Sequence, residues 1–140
     1  EEAQTQAASL ALAWSRAWNA GRAGGAVFWV KPGQVSKSAE TGEFVGKGSF
    51  VIRGKRNWMR DVPLELALGL VCINAVPLLM CGTIDGVSAI CQRWAIIRPG
   101  RDKKETLANK IAKATGLTTD DVLPVIPGQS EISENHGLIN

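Results

Sequence analysis

The residues best suited to chemistry in this chain are cations and aromatic rings concentrated between positions 31 and 60. Seven lysines and arginines lie there against two glutamates, giving this segment a net charge of +5, whereas the whole 140-residue chain carries +3. The cations are Lys31, Lys37, Lys47, Arg53, Lys55, Arg56 and Arg60. Charge concentrated in this way attracts a polyanion, and cations beside rings are the groups that hold unpaired bases. We therefore expect a nucleic-acid-binding surface in this segment.

The side chains that we expect to contact RNA combine phosphate-binding cations with polar and aromatic groups. Lysine and arginine neutralise phosphates and release counterions. Arg53 is expected in a strand, where alternation directs its guanidinium to solvent beside Lys55. The candidate RNA-binding residues are Lys31, Gln34, Ser36, Lys37, Lys47, Arg53, Lys55, Arg56, Asn57 and Trp58. The hypothesis is that they converge on one cationic surface; a merely solvated basic loop beside a core aromatic would explain the same pattern.

A second basic block covers residues 93–113 and also carries a net charge of +5. Several of its cations lie on the exposed side of a predicted amphipathic helix. Charges in that position commonly serve only to solvate the helix. This block is therefore weaker evidence for a binding function.

Groups for catalysis, metal binding or nucleotide binding are scarce. The single histidine, His136, is expected in a flexible tail, where it cannot activate a serine. The segment 42–48 resembles a phosphate-binding loop only superficially, because three residues separate Gly42 from Gly46 and a glycine follows Lys47. The cysteines lack metal-binding spacing and are predicted to be buried free thiols in a reducing cytoplasm; they are Cys72, Cys81 and Cys91. We expect no enzyme activity, no cofactor and no metal.

The spacing of apolar residues predicts an α+β fold in which helices cover a mostly antiparallel sheet, as part of a larger domain. Helices are predicted over residues 2–20, 85–91, 103–115 and 118–123, and strands over 26–30, 49–53, 64–73, 76–80 and 94–97. Trp14 and Trp18 are predicted core residues on one face of the first helix, and Asp102 is a predicted helix cap. Residues 55–61 are predicted to form a basic turn.

The ends of the domain and the apolar segment 66–82 complete this organisation. The apolar segment is interrupted by Asn74 and Pro77 and is shorter than the roughly 20 residues of a membrane-spanning helix, so we expect it in the core and expect no membrane partner. Residues 1–128 are predicted to form the domain. Residues 129–140 are predicted to form a flexible tail.

The segment 15–58 resembles the R domain of the NFACT family, which comprises ribosome-associated quality-control factors. The matching features are Ser15, Ala17-Trp18, Trp29-Val30, Gln34-Val35-Ser36-Lys37, Thr41-Gly42-Glu43, Gly48-Ser49-Phe50 and Ile52-Arg53-Gly54-Lys55. Trp58 stands where many members carry another aromatic residue. Residues 94–128 resemble the C-terminal end of archaeal members.

The resemblance also shows departures from the family pattern. Family R domains open with an aromatic-rich strand region and a His-Ala-Asp-type motif, neither of which is present in this sequence. The resemblance therefore implies the second part of an R domain with a C-terminal extension. It also implies that the rest of the same polypeptide, an N-terminal domain and a coiled coil, is a partner. The stretch 71–80 departs from the family pattern.

What the resemblance implies about function is an RNA-binding module and not an enzyme. It would contact ribosomal RNA and tRNA on stalled large ribosomal subunits and support C-terminal tailing of nascent chains without mRNA. The alternative is a protein-interaction or scaffolding domain whose basic blocks meet acidic ribosomal or ubiquitin-ligase partners. A nucleotide-dependent enzyme would require an acid–base group that the sequence analysis does not identify.

Overall fold

The computed structural model describes residues 1–38, 40 and 42–140, and over these residues helices and antiparallel strands form an α+β fold, which confirms the predicted class. The helices are α1 (Glu2–Ala13), α2 (Arg16–Asn19), α3 (Ile84–Ile90), α4 (Lys104–Thr115) and α5 (Thr119–Val122). The strands are β1 (Gly24–Trp29), β2 (Val35–Ser36), β3 (Val51–Ile52), β4 (Asn57–Pro63), β5 (Leu66–Ile73), β6 (Val76–Gly82), β7 (Arg93–Pro99) and β8 (Ser130–His136). Thr41, which the family resemblance included, lies outside the described residues.

The main sheet is antiparallel, with strand order β6-β5-β7-β8. Its first hairpin turns at Asn74 and Ala75, where both residues have positive φ values, as a tight two-residue turn requires. One face of the sheet presents Leu66 and Leu68 from β5 to the core. Side chains from α1, α2, α4, α5 and β7 complete that core; they are Leu12, Trp18, Ala95, Ile97, Leu107, Ile111 and Val122.

The opposite face of the main sheet is covered by α3. The backbone of β5 approaches this helix most closely at Gly69, where an added Cβ would lie 2.6 Å from both Val87 Cγ1 and Cys91 Sγ. Only glycine permits this approach. The close contact places Val87 against Ala67 in a second, smaller apolar cluster.

A separate antiparallel ribbon of β1 and β4 packs on α1, and it contains a bulge. Gly25 pairs with Val62, and Val27 pairs with Met59, so β4 has one more residue than β1 between the two pairs. Asp61 lies in this extra stretch with a φ of 56°. In a regular strand, Met59 and Val62 would face opposite sides. The extra residue shifts the pattern, so Met59 packs against the core and Val62 is buried in it.

The predicted helix over residues 2–20 is interrupted at Ser15. The Ser15 hydroxyl donates to the carbonyl oxygen of Leu12 and accepts a hydrogen bond from the Ala17 N–H, so it ends one helix and caps the next. The chain therefore changes direction between the two tryptophans. Trp18 is buried, as predicted, but Trp14 is 52% exposed, so its prediction as a core residue is wrong.

Two other predictions of local structure are wrong for identifiable reasons. Residues 57–61 of the segment predicted as a basic turn belong to β4, because their backbone pairs with β1 despite the polar sequence. The predicted flexible tail forms β8 over Ser130–His136, paired with β7. The outward side chains of β8 are polar because it is an edge strand. Leu138, which follows β8 in the predicted tail, is fully buried. His136 stacks on Trp94 with ring centroids 4.1 Å apart.

Smaller differences concern a helix cap and a thiol. Lys103, not Asp102, is the residue at the N-terminal boundary of α4. Cys72 is exposed near the end of the β5–β6 hairpin and is not a buried thiol. In the described part of the chain, no helix has the length and apolar character that crossing a bilayer requires.

Candidate nucleic-acid interface

The outer face of the β1–β4 ribbon combines two aromatic rings with two arginines. Phe28 and Trp58 are directly paired across the strands, and their rings meet edge to face at 5.1 Å between centroids. Residues two apart on a strand share a face, so Arg60 lies on the same side of β4 as Trp58. Arg56 directly precedes β4, and its guanidinium group lies over the Phe28 ring on that side. We call Phe28, Arg56, Trp58 and Arg60 the aromatic–arginine face.

The arginines of this face lie over its rings. The Arg56 guanidinium carbon is 5.2 Å from the Phe28 ring centroid, and that of Arg60 is 5.4 Å from the Trp58 centroid. Both distances are within the range of cation–π attraction. Trp58 is 49% exposed, and both arginines are also exposed. The face can therefore stack a base on a ring while a neighbouring guanidinium binds phosphate.

The other face of the ribbon holds these groups in position. Val27 and Met59 pack against the main core, and α1 contacts both strands. Asn57 is half-buried, and its side-chain amide donates to the Trp29 carbonyl oxygen at 3.2 Å. Asn57, a predicted RNA-binding residue, therefore fastens the end of one strand to the other in this structure.

Gln34 links the ribbon to the adjoining short hairpin of β2 and β3. Its amide nitrogen donates to the carbonyl oxygens of Arg53 and Lys55, both at 2.8 Å. Its amide oxygen accepts a hydrogen bond from the Lys31 N–H at 2.9 Å. Both ends of the Gln34 amide thus contact the backbone, which fixes the path of the chain into β4. The predicted site residue Ser36 is similarly engaged, since its hydroxyl accepts from the Ser38 N–H at 3.1 Å.

Arg53 does not point alone into solvent beside Lys55, contrary to the prediction. Its guanidinium donates to both carboxylate oxygens of Glu43, at 2.9 and 2.8 Å, and lies 3.6 Å from Glu40. The hydrogen bond from Arg53 lowers the pKa of Glu43, and Glu43 in turn raises the pKa of Arg53. Arg53 differs from the prediction because the loop after β2 brings Glu40 and Glu43 back to the end of β3, next to its guanidinium group.

Two further predicted cations, Lys37 and Lys47, lie in the loop between β2 and β3. The Lys37 ammonium nitrogen is 5.5 Å from the ring centroid of Phe50. Both lysines line an open groove of about 310 Å³ together with Phe50 and Ser49. The remaining predicted cations, Lys31 and Lys55, are exposed beside the backbone groups that Gln34 binds.

The structure thus separates the cations that the sequence hypothesis placed on one surface. Arg56 belongs to the aromatic–arginine face, Lys37 and Lys47 belong to the loop groove, and Arg53 is held by carboxylates. Sequence reasoning missed Phe28, Arg60 and Phe50 as members of these groups. The alternation of Arg56, Trp58 and Arg60 would have identified the face if residues 57–63 had been recognised as a strand.

The thiols and acids are the other chemically reactive groups in the described part of the chain. Among those residues, no group of three or more histidine, cysteine, aspartate or glutamate side chains is arranged to hold a metal ion. Burial raises the pKa of Cys81 to about 12 and also raises the pKa of Cys91. A thiol with a raised pKa is a poor nucleophile near neutral pH.

Comparison with known proteins identifies relatives over most of the chain. The family model described as NFACT protein RNA binding domain matches residues 1–54. The archaeal Rqc2 homolog aRqcH of Methanocaldococcus jannaschii is 32% identical over 130 residues, which is 91% of this chain and 19% of that protein. No solved protein structure matches the chain.

Two animal proteins match a shorter part. The ribosome quality control complex subunit NEMF homolog of Drosophila melanogaster is 42% identical over 66 residues, covering 47% of this chain and 7% of that protein. The ribosome quality control complex subunit NEMF of Homo sapiens is 49% identical over 55 residues, covering 39% of this chain and 5% of that protein. The chain therefore spans a fifth or less of the length of each of these relatives.

Proposed function

We propose, because this chain belongs to the NFACT family, that it is an RNA-binding module of a ribosome quality control factor. On this proposal it contacts ribosomal RNA and tRNA on stalled large ribosomal subunits in the cytoplasm. It supports mRNA-independent C-terminal tailing by binding and has no catalytic role of its own. The rest of its polypeptide would supply the other contacts with the ribosome.

The observation that carries this proposal is the aromatic–arginine face. Trp58 leaves about half of its surface in water, where it gains no stability from burial but can stack an unpaired base. The two guanidinium groups have a planar fork of donors that matches phosphate oxygens. Since the rings and the guanidinium groups lie on one side of a two-stranded ribbon, a single ligand can contact all of them.

The proposal predicts that RNA affinity depends strongly on salt and on the charges next to Trp58. Each phosphate neutralised on a single strand contributes about −0.7 to the slope of log affinity against log salt. The Lys55→Glu/Arg56→Glu variant reverses two charges directly before β4. The affinity should therefore fall, and the slope should become less negative. Fluorescence anisotropy with labelled tRNA or ribosomal RNA fragments over a salt series measures both quantities.

A matched control is available in the second basic block. The Lys110→Glu/Lys113→Glu variant makes the same charge change on exposed positions of α4. If only the total charge mattered, the two double variants would weaken RNA binding equally. Unchanged affinity in the Lys55→Glu/Arg56→Glu variant would remove the proposed site.

The alternative of a protein-interaction domain is favoured by a different surface. Ile73, Val76 and Leu78 lie at the end of the β5–β6 hairpin with exposed apolar side chains, outside the residues that match the RNA-binding family model. Exposed apolar patches commonly mark protein interaction sites. Ribosomal association that survives nuclease treatment and is lost in a Leu78→Asp variant would favour this alternative.

A further inference from the structure

The loop between β2 and β3 carries two aromatic side chains that are largely in solvent. Phe44 is 93% exposed and Phe50 is 54% exposed. Neither ring belongs to the aromatic–arginine face, which lies on β1 and β4. Rings in this position contribute little to folding, since the hydrophobic effect stabilises only the area removed from water. Of the two, only Phe50 lies beside the Lys37 ammonium group, and an exposed ring next to a cation points to a ligand.

The surroundings of Phe50 supply the groups that a nucleotide requires. The Lys37 ammonium group lies 5.5 Å from the ring centroid, close enough for cation–π attraction to hold it there. Lys47 and the Ser49 hydroxyl group line the same groove. Its volume of about 310 Å³ is at the small end of the ~300–1,000 Å³ range of ligand pockets, which suits one nucleotide. The two ammonium groups can bind phosphate while the ring stacks on the base.

The acidic residues Glu40 and Glu43 of the loop do not line this groove and contact Arg53 instead. Both carboxylate oxygens of Glu43 accept hydrogen bonds from Arg53, and the Glu40 carboxylate is 3.6 Å from the same guanidinium group. Arg53 therefore offsets the charge of Glu43 and lies next to that of Glu40. As a result, Lys37 and Lys47 retain their attraction for an external anion.

We infer that the Phe50 groove, formed by Lys37, Lys47, Ser49 and Phe50, is a second stacking site for an unpaired nucleobase and its phosphate. The inference rests on the proposed function and adds that the bound RNA is single-stranded. Phe50 and Trp58 are eight residues apart, so their Cα atoms are at most about 28 Å apart. One single strand can reach both rings, whereas a duplex keeps its bases stacked within itself.

Fluorine NMR can observe each ring separately, because the chain has only three phenylalanines. They are Phe28 on the aromatic–arginine face, Phe50 in the groove and Phe44, which does not line the groove. Labelling with fluorophenylalanine gives one signal for each, assigned with single Phe→Leu variants. The ligand is single-stranded oligouridine of about twelve nucleotides, within the ~4–16-nucleotide site of single-strand-binding folds. The signals of both Phe28 and Phe50 should shift on binding.

Affinity measurements provide the second readout. Phe50→Leu keeps apolar bulk but removes the stacking face, and it should weaken oligouridine binding at least about fivefold, the lower end for losing a stacked ring. Phe44→Leu is the matched control and should leave the affinity within about twofold. An RNA duplex of the same length should bind more weakly than the single strand.

The outcomes separate this inference from the proposed function. If RNA shifts the Phe28 signal but Phe50→Leu binds like the wild type, the groove site is overturned while the RNA-binding function stands. If the wild type binds no RNA and no signal shifts, the proposed function fails and the inference fails with it. Equal affinity for duplex and single strand would overturn the assignment of an unpaired ligand.

Discussion

The indole nitrogen of Trp18 donates a hydrogen bond to the hydroxyl oxygen of Ser130 at 3.1 Å, and both side chains are fully buried. The bond joins α2, within the residues that match the RNA-binding family model, to the first residue of the C-terminal strand β8. Ser130 also donates to the Gly128 carbonyl oxygen at 2.8 Å. The family-matched segment and the C-terminal part therefore share one core.

Replacing Ser130 by alanine should destabilise the whole fold. The change removes the hydroxyl group, but the Trp18 indole keeps a second acceptor, the carbonyl oxygen of Gln129 at 3.1 Å. We therefore expect a loss of about 1 kcal/mol in the free energy of unfolding, at the low end for a broken buried hydrogen bond. Urea denaturation measures this value. The control is Ser133→Ala at an exposed position of β8, where the hydroxyl makes only a long hydrogen bond of 3.4 Å to the Ile96 carbonyl oxygen. Equal losses in both variants would contradict the role assigned to Ser130.

Adding one methyl group at Gly69 should destabilise the packing of α3 on the sheet. An alanine Cβ there would lie 2.6 Å from Val87 Cγ1 and Cys91 Sγ, so the helix would have to move. Overpacking of this kind costs about 1–3 kcal/mol, measurable as a lower melting temperature. Gly33→Ala is the matched control, because nothing lies within 4 Å of an added Cβ there. A Gly69→Ala protein as stable as the control would show that α3 packs differently.

Removing the Trp58 ring should weaken RNA binding without a large loss of stability. We expect Trp58→Ala to reduce affinity about 5- to 150-fold, since a stacked base contributes ~1–3 kcal/mol. Trp14→Ala removes a ring of similar exposure at the end of α1, away from the aromatic–arginine face, and should bind RNA normally. Anisotropy titrations with single-stranded RNA test both variants. Equal losses would indicate that hydrophobic exposure in general, and not this face, binds RNA.

The three cysteines should differ in their rates of reaction with a thiol reagent at about pH 8, close to the pKa of an ordinary thiol. Cys72 is exposed and should react first, whereas burial raises the pKa of Cys81 to about 12 and that of Cys91 as well. Cys72→Ser should remove the fast phase, and denaturant should make every remaining thiol reactive. A fast phase that persists in Cys72→Ser would place another thiol in solvent.

Protonation of Glu43 should release Arg53. The pKa of Glu43 is below its ordinary value of 4.5 because Arg53 donates to it. A lowered pKa in the folded state means that the contact stabilises the loop above pH 4.5 and is lost as the pH falls through the lowered pKa. Carbon NMR of the Glu43 carboxyl group measures this pKa, and Arg53→Gln should return it towards 4.5. Identical titrations in the two proteins would show that the ion pair is absent in solution.

Much of the fold followed from local patterns. The helix over residues 103–115 and the strands over 64–73 and 76–80, which pair in a hairpin, were correctly predicted. Apolar periodicity and short apolar runs between turn residues are local signals. The strand β4 was missed since Arg60 on its outer face and Arg56 just before it are charged, whereas neutral polar residues are more typical of a strand. The edge strand β8 was missed since its polar side chains resemble those of a tail.

The sequence by itself determined the composition of the binding region: its excess of cations, its rings and its resemblance to the NFACT R domain. Only the tertiary structure decided which of these groups can contact the same ligand. Strand register placed Arg60 beside Trp58, and the loop brought Glu43 to Arg53. Both results depend on contacts between backbone segments that are far apart in the sequence. A one-residue shift in the pairing of β1 with β4 would move every side chain of the shifted strand to the opposite face.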